Sequence, residues 1–167
     1  MNTSELLKDS LDRVKENVAA VAQGLTADQL AHRPNGTGNS IAWLLWHLAR
    51  VQDAQIADVA GTDEVWASQG WHERFGLPFE ITEHGYGMSS DDVARVRVDD
   101  PQLLVDYYDA AHARTLEYLS GLSDADLDRV VDDAWDPPVT LGVRLVSIVD
   151  DDAQHVGQAA YVRGLLP

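Results

Sequence analysis

Three consecutive acids followed one turn later by a histidine are the part of this sequence best suited to chemistry. Asp150, Asp151 and Asp152 lie in the middle of the segment that runs from Thr140 to Arg163, and His155 follows them. Acids that interrupt an apolar helical face are costly to bury, and a bound cation is a common compensation. Residues four apart lie ~5–6 Å from each other on one helical face, so Asp151 and His155 could hold two corners of a metal site. Asp152 and His155, three apart, could do the same.

A third ligand has to come from another segment, and His47 is the best candidate. It lies in SIAWLLWHLARV, bracketed by Leu44, Leu48 and Val51, so its side chain should point towards the core. Histidine and carboxylate ligands suit Zn, Ni, Fe or Mn. Three protein ligands would leave coordination positions open for water or substrate. The plainer alternatives are a hydrogen-bonded core histidine and a solvated turn of aspartates.

The segments that must position these residues show the apolar periodicity of helices. Apolar residues recur at steps of three and four in four long segments, each with a capping or terminating signal. They cover roughly residues 4–23, 40–59, 101–119 and 140–163. No segment has a convincing alternating strand pattern. The sequence therefore predicts an all-α fold, a four-helix bundle forming a single domain over residues 1–167.

An irregular insertion separates the second and third long helices. Residues 62–99 are rich in aromatic residues and glycine, which is typical of a lid or pocket wall; a loop that simply covers one end of the core is the alternative. His72 and Tyr86 are its candidate pocket residues for cofactor binding, and His84 could also reach a pocket. The remaining histidines, His32 and His112, are expected to be exposed.

Composition excludes several classes of function. The formal charge of −16, from 28 acids against 12 bases, repels nucleic-acid phosphates and anionic lipid. The chain has no cysteine, so disulfides and a cysteine nucleophile are excluded. There is no signal-peptide pattern at the start and no apolar run of ~18 residues, so we expect a soluble cytoplasmic protein without nucleic-acid or membrane partners. Serine-hydrolase, phosphate-loop and di-iron motifs are also missing.

Two stretches carry a resemblance to a known family. SIAWLLWHLARVQDAQ and DDDAQHVGQAAYVRGL are similar to the metal-site helices of the DinB-like superfamily, and the similarity extends over nearly the whole chain. The resemblance implies a metal-binding histidine on the second helix, matched by His47. It also implies a pair four apart on the fourth helix, commonly His or Glu followed by His, whose second member is His155. The first member falls on Asp151 rather than Asp152. Aspartate is shorter than the usual residues, so a metal would lie nearer the helix or bind more weakly.

The superfamily includes bacillithiol- and mycothiol-dependent transferases and a mycothiol-dependent isomerase. The resemblance thus implies a zinc, nickel or other divalent metal cofactor, mycothiol or a similar thiol as co-substrate, and a small-molecule substrate. The leading hypothesis is a metal-dependent thiol transferase, and the alternatives are a metal-dependent hydrolase or a non-catalytic metal- or ligand-binding bundle. A homodimer is also expected, because the family commonly dimerises and because Trp43 and Trp46 should not both point inwards with His47.

Overall fold

Four long helices form the body of the protein in the computed structural model, which describes residues 1–166. They are α1 (Thr3–Ala22), α3 (Ile41–Ala60), α7 (Pro101–Ser120) and α8 (Leu141–Gly164). Helix α3 packs against α7 and α8, and α1 packs against the same two helices. The expected all-α four-helix bundle is confirmed, with the irregular insertion between the second and third long helices.

The ends of the long helices follow the capping signals in the sequence. Ser40, Asp100 and Thr140 each accept a hydrogen bond from a backbone N–H in the first turn of α3, α7 and α8, respectively. Gly61 ends α3 in the left-handed conformation, with φ of 66°. The caps at Ser40 and Thr140 set the residues at which α3 and α8 begin.

Short elements connect the long helices. They are α2 (Ala27–Leu30), the 3-10 turn Pro34–Gly36, α4 (Val65–Ser68), α5 (Trp71–Phe75), α6 (Ser90–Val93) and the 3-10 turn Asp124–Asp128. A two-stranded antiparallel pair, β1 (Val130–Asp132) with β2 (Val139–Thr140), precedes α8. Sequence patterns predicted no strand, because segments of three and two residues are too short to show an alternation.

The core is filled mainly from α3, which is apolar on nearly every side. Its buried residues include both Trp43 and Trp46, with 6% and 1% of their surface exposed. The expectation that the two indoles could not both point inwards is wrong. The insertion explains the difference, because Trp46 packs against Trp66 and Phe79 of that segment while Trp43 faces α8 and stacks on His47.

The insertion is fastened to the bundle by buried polar groups. Asp53 of α3 accepts hydrogen bonds from the backbone N–H groups of Val65 and Trp66, at 2.9 and 2.8 Å, and so anchors the start of α4. Arg50, with no exposed surface, pairs with Glu64 at 2.5 Å and with Asp53 at 3.8 Å. The insertion is therefore part of the packed structure and covers one side of α3.

No helix among residues 1–166 is long and apolar enough to cross a membrane.

Candidate metal centre

Helices α3 and α8 bring together the three residues singled out from the sequence. His47, on α3, and Asp151 and His155, on α8, each offer one ligand atom, and these atoms all lie within 4.8 Å of one another. The two imidazole rings have centroids 4.8 Å apart and meet edge to face, at 76°. The cluster could hold a metal ion, and it is assembled by packing between two helices that are far apart in the sequence.

His47 is the buried member of the cluster, with 4% of its surface exposed. One face of its ring stacks on Trp43, with centroids 4.5 Å apart and planes 15° apart. Its Nδ1 lies 2.5 Å from the backbone carbonyl oxygen of His84 in the insertion. Burial lowers the pKa of His47, and the hydrogen bond to the carbonyl only partly opposes this. The imidazole is therefore neutral near pH 7, which is the form that binds a metal.

Asp151 and His155 form a pair on the outward side of the cluster. His155 Nε2 lies 3.5 Å from Asp151 Oδ1, and His155 Nδ1 lies 3.1 Å from Oε1 of Gln158. Burial lowers the pKa of His155, but its interactions with Asp151 and Gln158 raise it by more, so the net pKa is above the ordinary value. The pairing orients the imidazole, and it also means that a proton competes with any cation for this ligand.

The residues present fit a divalent metal. Oδ2 of Asp151 is buried and has no hydrogen-bond partner within residues 1–166, which is the state of a carboxylate oxygen prepared for a cation. Zinc binds nitrogen and carboxylate oxygen at ~2.0–2.2 Å, so two ligands of one ion lie at most about 4.4 Å apart. A spread of up to 4.8 Å thus needs only small side-chain rotations to close around an ion. Two nitrogens and one oxygen suit zinc, nickel, iron or manganese.

The neighbouring aspartates face elsewhere. Asp152 is wholly buried beside Tyr108 of α7, and burial and the nearby Asp151 raise its pKa well above the ordinary value. Asp150 is exposed and accepts a hydrogen bond from Gln154. Asp152 shares the inward face of α8 with Leu145 and Ile148, and for that reason it lies in the core rather than in the cluster with His47 and His155.

The remaining histidines lie outside the cluster. His72 packs edge to face on Trp66, and its Nε2 contacts the carbonyl of Phe79, within the insertion. His112 is 2% exposed and pairs with Asp12 at 2.8 Å, so the expectation that it is exposed is wrong. It lies on the inward face of α7, stacked on Tyr108 one turn earlier. His32 is half-buried rather than exposed.

Tyr86, the other pocket candidate, is 84% exposed and does not line an enclosed pocket. A groove of about 410 Å³ is found instead beside Gln158; none of the three cluster residues lines it, and its lining residues are Pro34, Asn39, Leu44, Gly157, Gln158, Tyr161 and Val162. Gln158 borders this groove and also contacts His155. A small molecule in the groove would therefore lie beside Gln158, the residue that links the groove to His155.

Two contributors were missed in the sequence. Gln158 could have been found, because it follows His155 by three positions and so lies on the same helical face. The carbonyl of His84 could not, because a backbone acceptor leaves no signature in residue type, although the glycines on either side of Tyr86 mark the chain there as tightly turned.

Comparison with known proteins agrees with this architecture. A search of curated proteins finds no match. Among solved structures, a conserved protein from Enterococcus faecalis is similar, with 37% sequence identity and a TM-score of 0.92 over 98% of this chain and 96% of that one. Residues 10–159 match the DinB superfamily. With this match over most of its length and the bundle it forms, the chain belongs to the DinB superfamily.

Proposed function

We propose that this protein is a metal-dependent enzyme that transfers a low-molecular-weight thiol, mycothiol or a similar compound, to an electrophilic small molecule. The observation that carries the proposal is the cluster of His47, Asp151 and His155, in which His47 is buried while Asp151 and His155 remain partly exposed. A closed structural site would surround the ion with protein ligands, whereas a catalytic site keeps a position free.

Each residue of the cluster has a role in this proposal. His47 and His155 would bind the metal through ring nitrogens, and Asp151 through a carboxylate oxygen. Gln158 would hold the His155 ring in place through its contact with Nδ1. Trp43 covers one face of His47 and keeps water from that side. A divalent metal at this position would lower the pKa of a bound thiol and stabilise the thiolate near neutral pH.

Because the chain has no cysteine, the thiol in this reaction would have to be supplied as a co-substrate. The thiolate sulfur would form a bond to an electrophilic carbon as the bond from that carbon to its leaving group breaks. The proton released from the thiol would leave with the departing group or with solvent. The groove beside Gln158 and Tyr161 has a volume suited to a small molecule.

The test combines metal analysis with a turnover assay. Purified protein is stripped with a chelator, reloaded with Zn, Ni, Fe or Mn, and mixed with an alkylating chromogenic substrate with and without mycothiol, bacillithiol or glutathione. We expect product only with metal and thiol together. His155→Ala should lose more than the ~10–100-fold typical of removing an outer-shell partner of a metal ligand. Gln154→Ala, which alters the exposed neighbour on the same helix, should retain activity.

The alternative functions give different results in the same assay. Release of the leaving group that needs metal but no thiol would indicate a hydrolase. Stoichiometric metal without turnover under any condition would indicate a non-catalytic metal-binding bundle. Failure to bind any divalent metal would refute the proposal.

A further inference from the structure

The insertion reaches the candidate metal centre through its backbone rather than through a side chain. The carbonyl oxygen of His84 lies 2.5 Å from Nδ1 of His47. A carbonyl oxygen can only accept a hydrogen bond, so Nδ1 must carry the proton and donate it. In a neutral imidazole the other nitrogen then has a free lone pair. Nε2 is therefore the nitrogen of His47 available to a cation.

Gly85 is what allows the carbonyl to come this close. The residue has φ of +94°, and a Cβ built on it would lie 2.7 Å from Nδ1 of His47 and 3.1 Å from the ring of Trp46. Any side chain at position 85 would thus displace either the imidazole or the loop. Gly87, two residues later, also has positive φ, at +72°, but a Cβ there would meet nothing within 4 Å.

The loop that carries this carbonyl is held from both sides. The carboxylate of Glu83 accepts hydrogen bonds from the backbone N–H groups of His84 and Gly85, at 2.9 and 2.7 Å. Arg50, three residues after His47 on α3, donates to the carbonyls of Glu83 and Ile81, at 3.1 and 3.4 Å. Because Arg50 is fully buried, its position is fixed by packing, and the loop is fixed with it.

We propose that Gly85 and the carbonyl of His84 are positioning elements for metal binding: they select the tautomer and the ring orientation of His47 that present Nε2 to the ion. This inference rests on the proposed metal site, but not on the reaction assigned to it. Outer-shell partners of metal-bound histidines act in this way, and their loss typically weakens metal affinity ~10–100-fold.

The experiment compares Gly85→Ala with Gly87→Ala in the full chain. Both variants place a side chain at a positive φ, which lowers metal-free thermal stability in each, and Gly85→Ala should lose more because its Cβ also meets His47 and Trp46. Zn²⁺ affinity is measured by competition with a chromophoric chelator, and the Co²⁺-loaded proteins are compared by visible absorption. We expect Gly85→Ala to bind Zn²⁺ ~10–100-fold more weakly and to show a changed Co²⁺ spectrum. Gly87→Ala should match the parent in both measurements.

Equal Zn²⁺ affinity and equal Co²⁺ spectra in the two variants would overturn the inference while leaving the metal site intact. A parent protein that binds no metal would overturn both. If Gly85→Ala does not fold, long-range ¹H–¹⁵N spectra of the parent decide the matter. A proton on Nδ1 of His47 supports the inference, and a proton on Nε2 of His47 overturns it.

Discussion

Removal of the metal should cost a measurable part of the stability of the folded protein, and the cost should depend on His155. The candidate ligands come from α3 and α8 and meet only when the bundle is folded, so a metal held by them would bind the native state and not the unfolded chain. At a hundredfold excess of metal over Kd, this linkage stabilises the fold by about 2.7 kcal/mol. In a domain of this size, 1 kcal/mol corresponds to about 2–4 °C in Tm.

We therefore expect a chelator to lower the Tm of metal-loaded protein by about 5–10 °C. His155→Ala should remove most of this response, because only two ligands, His47 and Asp151, would remain to hold the metal. The assay is thermal unfolding followed by circular dichroism at 222 nm, with and without chelator, at fixed protein concentration. Oδ2 of Asp151, buried and unpartnered in the described part of the chain, is the group whose desolvation the cation would offset.

The control for this experiment is His112→Ala. His112 is buried against Asp12, so its removal should lower the Tm itself, but the further shift caused by the chelator should equal that of the parent. A chelator response in His155→Ala as large as that of the parent would show that the assigned cluster is wrong.

Two further predictions concern pH and assembly. Burial lowers the pKa of His112, and the pairing with Asp12 only partly restores it. As the pH falls, His112 therefore takes up a proton near pH 6.5 in the unfolded chain but only at lower pH in the folded chain. Because the unfolded state binds more protons in this range, the free energy of unfolding decreases as the pH drops through it. Urea unfolding at pH 7.5 and 5.5 should show a smaller loss on acidification in His112→Gln than in the parent, and equal losses would contradict the assignment. The homodimer expected from the sequence should appear in sedimentation velocity at micromolar concentration, and a single monomeric species would contradict it. Because Trp43 and Trp46 are both buried within the bundle, they no longer support the dimer prediction, which now rests on the family resemblance.

The long helices could be predicted because their apolar periodicity and caps are local properties of the sequence. Ser40, Gly61 and Thr140 act where the sequence placed them. The path of the insertion could not be predicted, because it is set by long-range contacts. In the sequence Arg50 is an ordinary charged residue of a helix. Only the fold shows that it is fully buried and that it contacts Glu64, Asp53 and two backbone carbonyls.

The candidate site, too, has features that local sequence predicts and features that depend on long-range contacts. The spacing of Asp151 and His155 is a property of one helix and could be identified from sequence, but periodicity alone left Asp151 and Asp152 as alternatives. Family resemblance favoured Asp151, and the structure brings that residue, and not Asp152, to His47. The burial of His112 was missed although the sequence carried a sign of it, because His112 follows the buried Tyr108 by four positions and so lies on the same helical face.

The two attachments of the insertion to α3 determine which of its positions can be changed without disturbing the candidate metal centre. Glu64 and Asp53 fix its beginning, and Arg50 holds the chain again at Ile81 and Glu83. The exposed positions between these points can vary without moving the carbonyl that faces His47, provided that both attachments and the buried side chains of Trp71 and Phe75 remain. Substitutions at exposed positions such as Ala67 and Glu73 should then leave the ligand geometry undisturbed. A single deletion between residues 81 and 85 would shift the backbone acceptor by one peptide and disconnect it from the imidazole.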